Sequence, residues 1–346
     1  MILWFFGRSL DWAEVGRSLQ KANIALVVLA GFIICFGYLL RAFRWRTLLA
    51  PITETDLGEL FATTTIGFAA VFIFGRAGEV VRPVWLPMRD KRVRPSAALV
   101  TIGVERICDM AAIVVLFAVN LLWIRAPLGR EAEFTIVNRA GFLLFVAAIC
   151  GFAALFLFQK FSAPIIAFIE RRVLSKFPTR LSEIGSNILQ HLATSLQILR
   201  NPRELALTVF WTAALWFSIS LPTWLVILAF GLPLSFSDAL FVMGWALVGS
   251  LVPTPGGAAG GFHAITAAAL IFLNVERELA TATAIVMHLV YFAPALFFGV
   301  YYFLRGDVSL SRIRSLIIGD KDERNEKDEK LKTERGGYND LPSTSN

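Results

Sequence analysis

The feature that most constrains this chain is the recurrence of apolar runs long enough to cross a lipid bilayer. About 20 apolar residues in helical form match a hydrocarbon core of ~30 Å. Asn23 to Leu40, Leu57 to Gly75, Ala140 to Phe158, Glu204 to Phe230 and Leu279 to Leu304 approach or exceed that length. Over the whole chain 56% of the residues are hydrophobic and only 17% are charged, more apolar surface than a soluble core can hide. Inside hydrocarbon every backbone polar group must find its partner within the protein, and helices achieve this locally. The predicted fold is therefore all-α: a polytopic integral membrane protein built as a transmembrane helix bundle. Its expected organisation is an interfacial segment over residues 1–22, a transmembrane domain over 23–304 and a charged tail over 305–346. The tail mixes acid and base almost evenly with few apolar residues, a composition that predicts disorder.

The net charge of +7 is then a statement about loops rather than about nucleic acid, and no nucleic-acid partner is expected. Loops rich in Lys and Arg face the cytoplasm. The basic stretches are Arg41 to Arg46, Arg76 to Arg94, Lys160 to Arg203 and Arg305 to Arg314, whereas Gly231 to Phe236 and Asn274 to Glu278 are poor in positive charge. Arg41, Arg44 and Arg46 flank Trp45 and read as an interfacial anchor. A complete crossing by Leu57 to Gly75 would put its two basic flanks on opposite sides, a conflict that a re-entrant excursion removes. Ser237 to Val252 and Ala258 to Leu273, separated by Pro253-Thr254-Pro255-Gly256-Gly257, read as a second hairpin entered from the opposite face. Either reading places the C-terminus in the cytoplasm. The alternative, a full crossing by every piece, leaves Arg41, Arg44 and Arg46 outside. Paired broken elements entering from opposite faces are a common way for transporters to build a midplane site. Residues 160–203 are amphipathic, with Ile184, Ile188, Leu192, Leu196 and Leu199 on one helical face beside Arg171, Arg172, Lys176 and Arg180. They read as helices resting on the cytoplasmic membrane surface, with partner docking as the alternative.

Two stretches carry candidate chemistry. In Gly75 to Arg82 the glycines Gly75 and Gly78 allow close backbone approach, and Arg76 and Arg82 offer planar cationic forks suited to phosphate, with Glu79 able to hold one of them. On the helix expected from Ser96 to about Ile124, Glu105, Arg106 and Asp109 lie too deep for lipid and should face the interior. They form either an internally neutralised ion cluster, paired with Arg76 or Arg82, or a polar cavity that holds a lipid headgroup or relays a proton. The expected substrate-binding set is thus Arg76, Glu79, Arg82, Glu105, Arg106 and Asp109. The expected gating set is Gly75, Gly78, Pro253, Pro255, Gly256 and Gly257. His263 and His288 read as hydrogen-bonded structural histidines, and Cys35, Cys108 and Cys150 as buried thiols. No nucleophile–base constellation, nucleotide loop or metal-ligand spacing is present, so neither an enzyme nor a cofactor is expected, an intramembrane transferase with the carboxylates as bases being the alternative.

Arg44-Trp45-Arg46, Gly75-Arg76-x-Gly78-Glu79-x-x-Arg82, Glu105-Arg106-x-x-Asp109 and Pro253-Thr254-Pro255-Gly256-Gly257 occur in this order. In that order and spacing they resemble the flippase-like lysylphosphatidylglycerol synthase transmembrane region family, over roughly Asp11 to Arg305. The resemblance implies a stand-alone member without the soluble synthase domain. It implies residence in a bacterial or archaeal cytoplasmic membrane and a role in moving an anionic, aminoacylated or other lipid across it. A non-transporting scaffold for a lipid-modifying enzyme is the alternative. The chain departs from the family pattern at Phe74, where proline is common, and at Phe262 and His263, where an acidic residue is common.

Overall fold

The computed structural model describes residues 10–50, 53–124, 126–178, 201–252 and 255–306, with isolated positions between 182 and 193. The charged tail and most of the amphipathic stretch after residue 178 lie outside them. The described residues form helices and no strands: α1 (Trp12–Lys21), α2 (Ile24–Leu49), α3 (Leu57–Phe74), a 3-10 segment (Gly75–Val80), α4 (Val81–Arg89), α5 (Pro95–Trp123), α6 (Glu131–Lys160), α7 (Ser162–Arg172), a 3-10 turn (Leu174–Lys176), α8 (Pro202–Ala229), α9 (Phe236–Gly249), α10 (Pro255–Phe272) and α11 (Arg277–Arg305). Five helices are long and apolar enough to cross a membrane: α2, α3, α6 over Glu131–Gly151, α8 and α11. The protein is a multi-pass membrane protein.

Helix α3 does not continue across. Asp56 caps its start by accepting from the Glu59 amide at 3.2 Å, and Gly75, with φ of 65°, ends it. The chain then doubles back. Gly78 lies so close to α3 that a Cβ there would stand 2.3 Å from the Ala70 carbonyl carbon. One turn further, the Arg82 side chain covers Gly67. At the base, Arg89 Nε and Nη2 donate to the Glu59 carboxylate at 3.0 and 2.8 Å. The contacts 70 with 78, 67 with 82 and 59 with 89 trace an antiparallel helical hairpin with its tip at Gly75.

Helices α9 and α10 form a second hairpin. A capping box of Ser235 and Asp238 starts α9, which at 14 residues is ~21 Å long and short of a full crossing. At the tip Gly256, Gly257 and Ala258 have φ of 74°, 64° and 60°, a left-handed turn that reverses the chain. Just behind it, a Cβ on Gly249 would meet the Gly261 carbonyl oxygen at 2.6 Å, so small residues let the two backbones touch. Phe241 stacks on Phe272 toward the base. The base is tied to the far end of α5. Asn120 exchanges hydrogen bonds with Ser237, donating to its carbonyl at 2.9 Å and accepting from its hydroxyl at 2.7 Å. Asn274 donates to the Leu128 carbonyl at 3.3 Å. Hairpin one therefore sits at the start of α5 and hairpin two at its end, and their tips approach: a Cβ on Gly257 would lie 3.0 Å from Phe72.

The element order repeats. Helix α2, a hairpin and α5 are followed, after α6 and α7, by α8, a hairpin and α11. Helices α2 and α8 have 26 and 28 residues, and α5 and α11 have 29 each. The two units run in opposite directions. The Asn23 amide donates to the Ala229 carbonyl at 2.8 Å, Gly37 faces Ser218, and Phe43 stacks on Trp211 with centroids 5.1 Å apart. These contacts make α2 and α8 antiparallel along their length. The second-order packing repeats as well. Phe117 of α5 packs on Phe241 and Gly244 of α9, and Gly299, equally deep in α11, packs on Thr65 and Ala69 of α3. This is an inverted-topology repeat, an architecture typical of secondary transporters.

Several local expectations need adjusting. The N-cap of α5 is Arg94 rather than Ser96, with Pro95 in the first turn, where its missing amide costs nothing. The third span begins at Glu131 rather than Ala140. Cys35 and Cys108 are half-buried, and Cys150 is exposed on α6. Helix α6 presents Phe142, Leu143 and Ile149 outward, as a lipid-facing helix should.

Candidate functional site

Near the middle of α5, about half-way between the two hairpin bases, lies a cluster of buried charges. Arg44 is fully buried and grips Asp109 with both forks, Nη1 to Oδ1 at 2.6 Å and Nη2 to Oδ2 at 3.2 Å. Trp216 Nε1 donates to the same Oδ1 at 3.1 Å, and Arg44 Nη1 also reaches Thr212 at 3.4 Å. Asp109 is thereby bound on both oxygens by α2 and α8, the antiparallel pair at the repeat interface. Glu105, 1% exposed, accepts from Arg82 Nη1 at 2.7 Å and lies 4.0 Å from Arg44 Nε. Arg82 in turn stacks over the Trp45 ring, its guanidinium carbon 4.2 Å from the centroid, while Trp45 Nε1 donates to Thr101. A charge at this depth without a partner is expensive, whereas a bidentate pair supported by further donors offsets much of the desolvation.

Beside this cluster is a cavity of about 320 Å³, at the small end of the range for ligand pockets. It is walled by α2, α3, α5, α8, α9, α11 and both hairpin tips. Arg41, Glu79, Arg106 and Asp109 give it one polar region, and Met110, Ile113, Met243 and Leu247 are among its apolar walls. Gly75 contributes from the first tip, and Gly257 and Ala258 from the second. The arginines facing it differ from those behind it. Arg44 and Arg82 are held in ion pairs, but neither Arg41 nor Arg106 has a carboxylate within ion-pairing distance among the described residues. Arg41 lies over the Phe68 ring at 4.6 Å, and Arg106 Nε is buried with no hydrogen-bond acceptor. Among the described side chains the region holds four arginines, Arg41, Arg44, Arg82 and Arg106, against Glu79, Glu105 and Asp109. The surplus is positive and faces the cavity. No group of three or more metal-binding side chains occurs among the described residues.

The structure thus divides the expected substrate-binding set. Glu79, Arg106 and Asp109 line the cavity, whereas Arg82 and Glu105 form a buried ion pair behind it. Gly75 and Gly257 line it from the two tips, Gly78 sets the close return of the first hairpin, and Gly256 begins the left-handed turn of the second. The side chains of Arg76 and Pro255, and residue Pro253 as a whole, lie outside the described residues. Arg41 and Arg44, read from the sequence as an interfacial anchor, instead belong to the site. Only Arg46 of the three is exposed. A signal was available. Ile34, Gly37, Tyr38, Arg41 and Trp45 follow one helical stripe, and two carboxylates on α5 required cationic partners. Outside the spans, hydrogen bonds from Arg92 hold the Asp90 carboxyl below the usual carboxylate range and close the loop that leads into α5.

Comparison with known proteins points to a family of membrane proteins. The family model for the lysylphosphatidylglycerol synthase TM region matches residues 1–299. UPF0104 membrane protein PH1989 of Pyrococcus horikoshii is 21% identical over 308 residues, covering 84% of this chain and 90% of that protein.

Proposed function

Because the chain belongs to the lysylphosphatidylglycerol synthase TM region family, we propose that it translocates a lipid with an anionic headgroup between the leaflets of a bacterial or archaeal cytoplasmic membrane. The observation that carries this reading is the pair of cavity-lining arginines, Arg41 and Arg106, that have no carboxylate within ion-pairing distance among the described residues, beside the Arg44–Asp109 and Arg82–Glu105 ion pairs. Buried polar atoms are normally hydrogen-bonded, so Arg106 Nε calls for an acceptor, and the planar forks suit phosphate oxygens. Apolar walls next to the charged region suit a headgroup whose acyl chains trail into the bilayer. The inverted repeat supplies the means of alternation: each half contributes one hairpin tip to the same cavity, and exchanging their positions exposes it to the other face. The reading makes the protein a carrier rather than an enzyme, with membrane lipid as its partner.

Orientation follows from charge. With both hairpins returning to their own side, Arg46, the Arg89 to Arg94 loop, Lys160 and Arg203 fall on one face. By its positive charge we read that face as the cytoplasmic one. The exposed helix α7, ending in Arg171 and Arg172, would rest on it among acidic headgroups.

The test is leaflet exchange of fluorescent phosphatidylglycerol in proteoliposomes. Losing one charge-assisted hydrogen bond costs about 1.5–3 kcal/mol, so Arg106→Gln and Arg41→Gln should each slow exchange by about tenfold or more. Rates equal to the parent in both variants would sink the proposal.

A further inference from the structure

The second hairpin tip carries a pair of histidines that the lipid site does not use. His263 on α10 and His288 on α11 meet edge to face with ring centroids 4.7 Å apart. His288 is 5% exposed, and its Nε2 lies 3.3 Å from the carbonyl of Gly257, inside the left-handed turn. His263 Nε2 is buried with no hydrogen-bond partner. Around them stand Phe72, Phe262 and Phe292, the last two lining the cavity together with Gly257. The inverted repeat gives the place a meaning. His288 stands as far into α11 as Arg106 stands into α5. One half of the protein sets a permanent cation at this depth; the other half sets a group that becomes a cation only when it takes a proton.

We infer that the His263–His288 pair is a proton-binding site coupled to the anion site of the cavity, so that headgroup and proton bind together. The inference rests on the lipid reading above. Two imidazolium rings in contact repel, so the pair takes a single proton. Burial opposes that proton; the aromatic faces and the Gly257 carbonyl favour it, the latter through a stronger hydrogen bond to a charged donor. Few other charges compete. On the elements packed around the pair, α3 carries only Glu59 and α9 only Asp238, both at hairpin bases, and Tyr291 of α11 is engaged with Thr223 and the Ile219 carbonyl. The 3-10 segment at the first tip adds Arg76 and Glu79, the latter on the cavity wall. A proton on the pair thus tightens the hold of His288 on the turn and adds one positive charge beside the cavity. By linkage, a bound anion must hold that proton more firmly in return.

The experiment measures binding of dihexanoyl phosphatidylglycerol to the purified protein through the fluorescence of Trp216, which lines the cavity. Measured from about pH 4 to 8, coupling to one proton makes affinity fall as pH rises, by at most about tenfold per unit. His288→Gln and His263→Gln should flatten that dependence while keeping binding sensitive to Arg106→Gln. A flat profile in the parent protein, with binding still lost in Arg106→Gln, overturns the coupling and leaves the anion site standing. Absence of binding at every pH overturns both. A second readout needs no ligand: histidine ring NMR in a His191→Asn background should show one proton entering the pair, with each remaining ring shifted when the other is replaced. Two rings that stay neutral down to pH 4 refute the site even if the Gln variants fail to fold.

Discussion

At the scale of single residues, the site is held by ion pairs that cannot be broken singly without cost. Removing one member of a buried pair leaves the other charge unneutralised, at about 3–5 kcal/mol. Arg44→Ala or Asp109→Ala should therefore lower thermal stability in detergent sharply, whereas the double replacement Arg44→Met with Asp109→Leu should recover much of the loss. A thermal unfolding series checks both, and near-additive losses would show that the two groups do not act as a pair. Asp90 makes a milder prediction. Its folded-state value lies below the unfolded one, so its contribution is complete at neutral pH and disappears as pH falls through the depressed value. Asp90→Asn should lower the melting midpoint at pH 7 and leave it nearly unchanged near pH 2. Glu105 and Asp109 were legible in the sequence because carboxylates inside an apolar helix are rare. Arg44 was not. An arginine after an apolar run has the usual meaning of an anchor, and only the antiparallel packing of α2 on α8 and α5 turns it inward.

At the scale of elements, both broken segments were legible from their glycines and prolines, and from the basic loops that a full crossing would have split. The way the first one returns was not. Its exit reads as a basic loop, yet it folds as a 3-10 segment and α4, because Gly78 can lie against the Ala70 backbone and Arg89 can reach Glu59. Gly78→Ala would drive a Cβ into backbone rather than into a flexible side chain, so it should open the hairpin and abolish lipid exchange. Gly257→Ala should do the same at the other tip, where φ is 64° and Phe292 and Phe72 stand about 3 Å away. Ala258→Gly works in the opposite direction: a left-handed alanine costs roughly 1–2 kcal/mol, and glycine removes that cost. Its melting midpoint should rise. A fall would mean that the Ala258 methyl contributes more through packing than the turn costs.

At the scale of the whole molecule, the inverted repeat sets a topology that labelling can test. Cysteines placed at Ser235 and Asn274 should react with an impermeant reagent from outside the cell, and those at Arg92 and Arg203 only after permeabilisation. Labelling of Ser235 and Arg92 positions from the same side would contradict the hairpin arrangement. The helix bundle and its membrane residence were written in the apolar runs. The repeat was hidden, because its two halves share geometry and not residue type: Arg106 in one corresponds to His288 in the other, and a glycine-arginine turn to a proline-glycine turn. The same pairing constrains biogenesis. Arg44 leaves the ribosome 65 residues ahead of the carboxylate that neutralises it. At about 5–20 residues per second, α2 waits about 3–13 s for Asp109 to be made. During that interval Arg44 has only the membrane interface to reach for. Helix α2 is expected to stay beside the insertion machinery until α5 arrives, and slowing synthesis between them should lengthen its cross-linking to that machinery.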